Sequence, residues 1–330
     1  MSGLRVFVLG ATGSIGRAAV RALAGRRHDV TCLVRPRAGV GGRLGIEDMR
    51  QLLAGAVVKA GNPLDPASVE RDGFGGERFD VVVSCLASRT GVPGDAWAVD
   101  HKAHVDALGI AQERGVGHMV LLSAICVQKP RLAFQHAKLA FEQTLMQSGL
   151  AYSIVRPTAY FKSLIGQVER VRAGRPYLVF GDGRLTACKP ISDRDLGAFL
   201  ADCVEDPARR NRVLPVGGPG PAITPLDQGL ELFRLTGRAP KFRHVPVRLL
   251  SGIAGALGFA GRAVPPLAAK AELARIGHYY ATESMLVLDP ATRRYEADMT
   301  PSFGSDTLFD NYQRLLAGEV ADERGDHAVF

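Results

Sequence analysis

Seven residues near the start of the chain, Gly10-Ala11-Thr12-Gly13-Ser14-Ile15-Gly16, constrain its fold more than any other stretch. They lie directly between an apolar run at residues 5–9, which reads as a strand, and an amphipathic run at residues 14–23, which reads as a helix. Glycines at such a junction permit a tight turn, close approach of backbone to a pyrophosphate, and close contact between helix and sheet. The helix that follows offers unpaired N–H groups and a partial positive charge to phosphate. Nucleotide binding is the first expectation.

The alternation continues along the first half. Strands are expected at residues 30–34, 57–59, 80–85, 119–123 and 152–155, and helices at 66–72, 100–114 and 132–147. Short apolar strands separated by amphipathic helices make parallel βαβ units. The fold class is therefore α/β, a doubly wound parallel-sheet Rossmann domain over residues 1–157, with ligands at the carboxyl ends of its strands. After Pro157 the rhythm breaks into Pro/Gly clusters, with helices at 193–203 and 224–235. Residues 158–330 are expected to form a smaller substrate lobe packed on the first, with some later strands joining the sheet.

Composition removes other classes. With 38 Gly and 19 Pro in 330 residues, 46% hydrophobic and 22% charged, the chain is an ordinary globular one. The net charge of +8 suits anionic partners, yet eight of the 41 basic residues are lysine, and an arginine excess can equally follow genome composition. No basic–aromatic interleaving points to nucleic acid. The five cysteines (Cys32, Cys85, Cys126, Cys188 and Cys203) are scattered without a C-x-x-C pair, which suits buried thiols in a reducing compartment and no metal site. The first strand begins so close to Met1 that no targeting peptide is expected, hence a cytoplasmic location. The apolar stretch 249–269 is broken by Arg262 and Pro265-Pro266, so it is expected to pack, line a greasy pocket or rest on a membrane surface instead of spanning one.

The G-x-x-G-x-x-G spacing resembles the extended or atypical branch of the short-chain dehydrogenase/reductase superfamily, which implies NAD(P). The second strand discriminates between the two forms. It ends in Arg35-Pro36-Arg37 with no carboxylate, and a guanidinium can grip a 2′-phosphate with paired bonds. NADPH is the expected cofactor, with Arg17 in reach of the same group. The resemblance implies a cofactor-binding set of Gly10, Thr12, Gly13, Ser14, Ile15, Gly16, Arg17, Arg35, Asn62, Leu86, Ser123, Lys138 and Pro157. Asn62 stands where related reductases carry aspartate against the adenine. The superfamily's alcohol dehydrogenases place a tyrosine four residues before a lysine on one helix face. Here that pair reads Phe134 and Lys138, and a phenyl ring cannot donate a proton to a carbonyl.

Residues 120–130, 134–139, 156–163, 181–183 with 187–192, 213–220 with 224–225, and 240–242 together resemble the divinyl chlorophyllide a 8-vinyl-reductases, a likeness covering roughly residues 4–318. It implies NADPH-dependent reduction of the 8-vinyl group of divinyl chlorophyllide or protochlorophyllide to ethyl in bacteriochlorophyll synthesis. An alkene conjugated to a macrocycle accepts hydride without a carbonyl-polarising tyrosine, which makes Phe134 sensible. The reading implies Lys138 and Tyr160 as catalytic candidates, bulk water being a third proton source. It implies Phe134, Phe161 and Lys162 as substrate-binding residues, with Lys162, Lys189 or an arginine meeting the propionate and residues 249–269 and 276–280 as further walls. Magnesium belongs to the substrate. Peripheral contact with a photosynthetic membrane stays open, as does oligomeric state. The alternatives are an isoflavone-reductase-like reductase of another conjugated alkene and a non-catalytic NmrA-type NADP sensor.

Overall fold

The computed structural model describes residues 3–38, 42–260 and 265–320. In the first half the elements run β1 Arg5–Leu9, α1 Ser14–Gly25, β2 Asp29–Val34, α2 Ile46–Leu52, β3 Val57–Ala60, α3 Pro66–Ser68, β4 Val81–Ser84, α4 Pro93–Ala96, α5 Ala103–Glu113, β5 His118–Leu122, α6 Ala133–Gln147 and β6 Ala151–Pro157. Val6, Phe7, Val8 and Leu9 are all fully buried, as a central parallel strand covered on both faces requires. The second half adds α7 Phe161–Leu164, α8 Val168–Arg172, β7 Tyr177–Phe180, α9 Asp193–Glu205, β8 Arg212–Val216, α10 Pro225–Leu235, β9 Phe242–Val245, α11 Val247–Ala260, α12 Pro265–Thr282, β10 Val287–Leu288, β11 Tyr295–Glu296 and α13 Leu308–Leu316.

Seven parallel strands form one sheet in the order β3-β2-β1-β4-β5-β6-β8, a Rossmann-like α/β fold. The order reverses between β1 and β4, so the crevice for a ligand opens at their carboxyl ends. Each face of the sheet carries its own core. One packs Ile15, Ala19 and Leu23 of α1 with Leu196, Phe199 and Leu200 of α9; the other packs Phe74, Ala107, Leu108, Phe141 and Leu145. Gly197 makes the first possible, because a Cβ there would lie 2.5 Å from the Ala18 carbonyl carbon. The later half of the chain thus supplies both a helix layer and the edge strand β8. Pro215 is tolerated in that strand because it stands at the sheet edge, where one row of N–H groups needs no partner.

The remainder gathers beyond the end of β6. β7 and β9 form a separate parallel pair, and Phe161, Ile165, Val171, Tyr177, Leu232 and Tyr312 close a third core around it. A fourth core joins Ile125, Cys126, Leu132, Cys188, Ile276, Tyr279 and Met285, bringing α12 against the loop after β5. Helix α11 lies on α12 but leaves Leu249 and Ile253 54% and 42% exposed, so that stretch is more surface than core. Among the described residues no helix is long and apolar enough to cross a membrane.

Candidate functional site

The three glycines of the turn do different things. Gly10 has φ +76°, and a Cβ on it would come within 2.5 Å of the Cys85 carbonyl carbon, so the turn sits hard against the exit of β4. At Gly16 a Cβ would meet the Gly10 carbonyl oxygen at 2.2 Å, which is the close approach of helix to turn. Gly13 is open: its Cβ would meet only the Gly10 oxygen, at 3.5 Å. It is also the N-cap of α1, with no side chain to satisfy the first N–H groups and no acidic residue in the first turn. Ser14 and Arg17 stand in that turn, and Leu86 follows directly from the β4 exit.

At the rim of the crevice Arg35 is exposed just beyond β2. Asn62, after β3, is exposed too; its amide oxygen accepts the Leu64 N–H at 3.1 Å and its own N–H is held by Ser68. That turn leaves the Asn62 amide NH2 as the end available to a base.

Deeper in, Lys138 from α6 is buried and pairs with Asp100, Nζ to Oδ1 2.9 Å. Asp100 is fully enclosed and also accepts the Ser88 N–H at 3.3 Å, while its Oδ2 has no hydrogen-bond partner among the described residues. It comes from a π-helical stretch, Trp97–Lys102, inserted between α4 and α5. Such wide turns are frequent at functional sites because they re-aim side chains that a regular helix would place elsewhere. Next to the pair, His104 gives its Nδ1 proton to the Val99 carbonyl, so Nε2 accepts from the Ser84 hydroxyl at 2.9 Å. Burial, with the Lys138 charge nearby, pulls this histidine down to about 4, and it is neutral at ordinary pH.

Ser123, at the end of β5, donates its hydroxyl to Glu142 at 2.5 Å; Glu142 is buried and ion-paired with Arg156. The hydroxyl is therefore committed inside the protein. Pro157 ends β6 in register with Val216, and Tyr160 follows it, bridged to Ile191. Burial pushes the Tyr160 phenol well up, helped by the neighbouring Cys126, Asp193 and Cys85, so it stays protonated. Lys162 turns back toward the glycine loop: its Nζ is 2.5 Å from Ser14 Oγ and 5.7 Å from the centroid of the Tyr160 ring.

Apolar walls complete the space. Phe134 and Ile276 both approach Gly91 in the loop after β4. Tyr279 donates its hydroxyl to the carbonyl oxygens of Cys126 and Lys129, fastening α12 over that region. Tyr280, partly exposed, has its hydroxyl 3.9 Å from Cys126 Sγ, and desolvation pushes the phenol well above its usual range. The Cys85 and Cys188 thiols are pushed up to about 12 by burial, so neither is a ready nucleophile.

A family described as NAD(P)H-binding matches residues 10–207. A chloroplastic divinyl chlorophyllide a 8-vinyl-reductase of Cucumis sativus is 49% identical over 98% of this chain and 79% of its own length, and that of Oryza sativa subsp. indica is 48% identical over 98% and 82%. This chain belongs to the divinyl chlorophyllide a 8-vinyl-reductase family. Its fold is shared more widely: the leucoanthocyanidin reductase–NADPH complex of Vitis vinifera superposes with a TM-score of 0.69 at 16% identity, covering 95% of this chain and 99% of that one.

In this 8-vinyl-reductase family member the residues expected from sequence at the cofactor fall into three groups. Gly10, Thr12, Gly13, Ser14, Ile15, Gly16, Arg17 and Leu86 cluster at the turn. Arg35 and Asn62 lie at the outer rim, and Lys138 and Pro157 deeper. Ser123 is near in sequence terms, but its hydroxyl faces Glu142. The arrangement fits a dinucleotide: a turn that a Cβ at Gly10 or Gly16 would block, an uncapped helix start, and an orphaned buried acceptor at Asp100 Oδ2 suited to a ligand hydroxyl. Of the substrate candidates, Phe134 lines the α12 wall, whereas Phe161 is buried in the third core. Lys162 lies on Ser14, and Lys189 donates to the Thr300 carbonyl at 3.0 Å and to Ser302. Asp100 and Glu142 were given no role from the sequence, while Arg156 and Tyr280 entered only as members of the 156–163 likeness and the 276–280 wall. Only Glu142 carried a usable signal, at i+4 from Lys138 on the same helix face.

Proposed function

We propose that this chain reduces the 8-vinyl group of divinyl chlorophyllide a, or of its protochlorophyllide counterpart, to ethyl with NADPH. Near-half identity to 8-vinyl-reductases through both halves of the chain carries this reading, because the second half holds the parts that differ most among Rossmann reductases. Bound NADPH supplies the hydride. The protein's own contribution is alignment, exclusion of water and a proton. Asp100 fixes the Lys138 ammonium beside the crevice, so a proton is held at Nζ; Tyr160 Oη is a second donor kept protonated by burial. Phe134 and Ile276 offer an apolar wall to a flat macrocycle, and Phe134 stands where a carbonyl reductase would need a hydroxyl. A cytoplasmic location at the face of a photosynthetic membrane is part of the proposal, and the exposed Leu249 and Ile253 are what support contact with the bilayer.

Purified protein mixed with NADPH and divinyl chlorophyllide a should convert it to the monovinyl pigment, followed by chromatography. NADPH binding without turnover across divinyl tetrapyrroles would instead point to a sensor. Preference for NADPH is assigned to Arg35 and Arg17. Arg35→Asp should weaken NADPH roughly 100-fold, since a charge-assisted pair worth about 1.5–3 kcal/mol is replaced by repulsion. NADH affinity should hold or improve. Titration of both cofactors checks this, and an unchanged preference would remove Arg35 from the site.

A further inference from the structure

Lys162 is one of the cations expected at the pigment's propionate, and its ammonium lies against the glycine turn. Lys162 sits in the first turn of α7, on the segment that leaves β6 for the second lobe, yet its ammonium is on Ser14 Oγ, the first residue of α1. The same ammonium lies 5.7 Å from the centroid of the Tyr160 ring. Helix α1 starts at an uncapped glycine with open space above it, and its partial positive charge is answered by no carboxylate in the first turn. Two positive features therefore converge on one spot, each of which favours an anionic ligand there. Members of this family bind NAD(P)H, and in a strand–turn–helix of this form the doubly charged pyrophosphate seats at that helix start.

We propose that Lys162 is the second lobe's half of a pyrophosphate clamp, its ammonium binding a phosphate oxygen of the cofactor across the crevice from the glycine turn. A lysine suits the role because its ammonium is a compact charge with three donors, able to keep Ser14 Oγ while reaching a phosphate. The cofactor then adds a second tie, beside the Lys162–Ser14 hydrogen bond, between α1 and the segment carrying Tyr160 and Phe161. The proposal rests on the cofactor site and stands whichever pigment is reduced. Both candidate ligands are anions, a pyrophosphate and a propionate, and they are separable by omitting the pigment.

The test is calorimetric titration of NADP+ and of adenosine 2′-monophosphate, which lacks the pyrophosphate, into wild-type, Lys162→Ala, Lys162→Gln and Lys162→Arg protein without pigment. Loss of one charge-assisted contact should weaken NADP+ about 10- to 30-fold in the alanine and glutamine variants. Lys162→Arg should stay within about threefold, and adenosine 2′-monophosphate should bind all four proteins alike. NADP+ affinity within twofold of wild type in both neutral variants overturns the clamp, and a raised pigment KM beside it would return Lys162 to the propionate. Equal weakening of both ligands would also overturn it, because the effect would then come from general damage to the site.

Discussion

Replacing Lys138 by alanine is expected to lower turnover of the divinyl pigment by on the order of 10²–10³-fold, the usual loss when a positioned proton donor is removed. The lysine is buried and its one ion-pair partner among the described residues is Asp100, 2.9 Å away, so the two stand or fall together. Asp100 is the positioning residue of the pair. Asp100→Asn keeps the shape and an acceptor for the Ser88 N–H but leaves a buried ammonium without its counter-charge. Breaking a buried pair from one side costs about 3–5 kcal/mol, so this variant should unfold at markedly lower temperature as well as lose activity.

A purely structural ion pair would give the same two losses, so a third variant separates the cases. Exchanging both partners for apolar residues of similar size, Asp100→Leu with Lys138→Met, removes both charges at once and is often neutral for stability. The double variant should recover most of the melting temperature lost by Asp100→Asn while its turnover stays down by about 10²-fold or more. Recovery of both would show that Lys138 matters only for folding. A catalytic Lys138 further predicts that Lys138→Arg, which retains charge but not size or proton affinity, restores stability better than kcat.

The contrast between Lys138 and Asp100 marks how far the amino-acid sequence could be read. The Rossmann half was legible because its strands are short, mostly apolar and separated by amphipathic helices, and β1 with the glycine turn reports its own geometry. The edge strand β8 was not, since Pro215 argues against a strand unless the sheet edge is known in advance. Lys138 stood out through the likeness to the superfamily's tyrosine–lysine pair. Its partner did not, because the helix expected from residue 100 begins at Pro93 and widens at Trp97–Lys102, and that wide turn aims Asp100 inward. Lys162 was visible as a cation past the last strand of the Rossmann half. Its direction depends on one short turn, and no periodicity encodes whether such a side chain faces the pigment or the glycine loop.

The second large effect is expected inside the glycine turn, where three similar substitutions should part company. Gly10→Ala forces a side chain into the left-handed region and into the Cys85 backbone, and Gly16→Ala drives a methyl to 2.2 Å from the Gly10 oxygen. Neither neighbour is a side chain that can swing away. Both variants should lose about 2–4 kcal/mol of stability and all measurable NADP+ affinity, because the turn must lift off β4 or α1 must slide. Gly13→Ala meets nothing nearer than 3.5 Å, and a poorer N-cap costs only about 0.5–1 kcal/mol. It should melt within a few degrees of wild type. Its methyl nevertheless stands where a pyrophosphate approaches the backbone, so NADP+ should bind roughly tenfold more weakly. Melting curves and NADP+ titrations on the three proteins decide the matter. Wild-type affinity in Gly13→Ala would mean that the dinucleotide does not cross the turn at Gly13, and the clamp assigned to Lys162 would lose the wall it closes against.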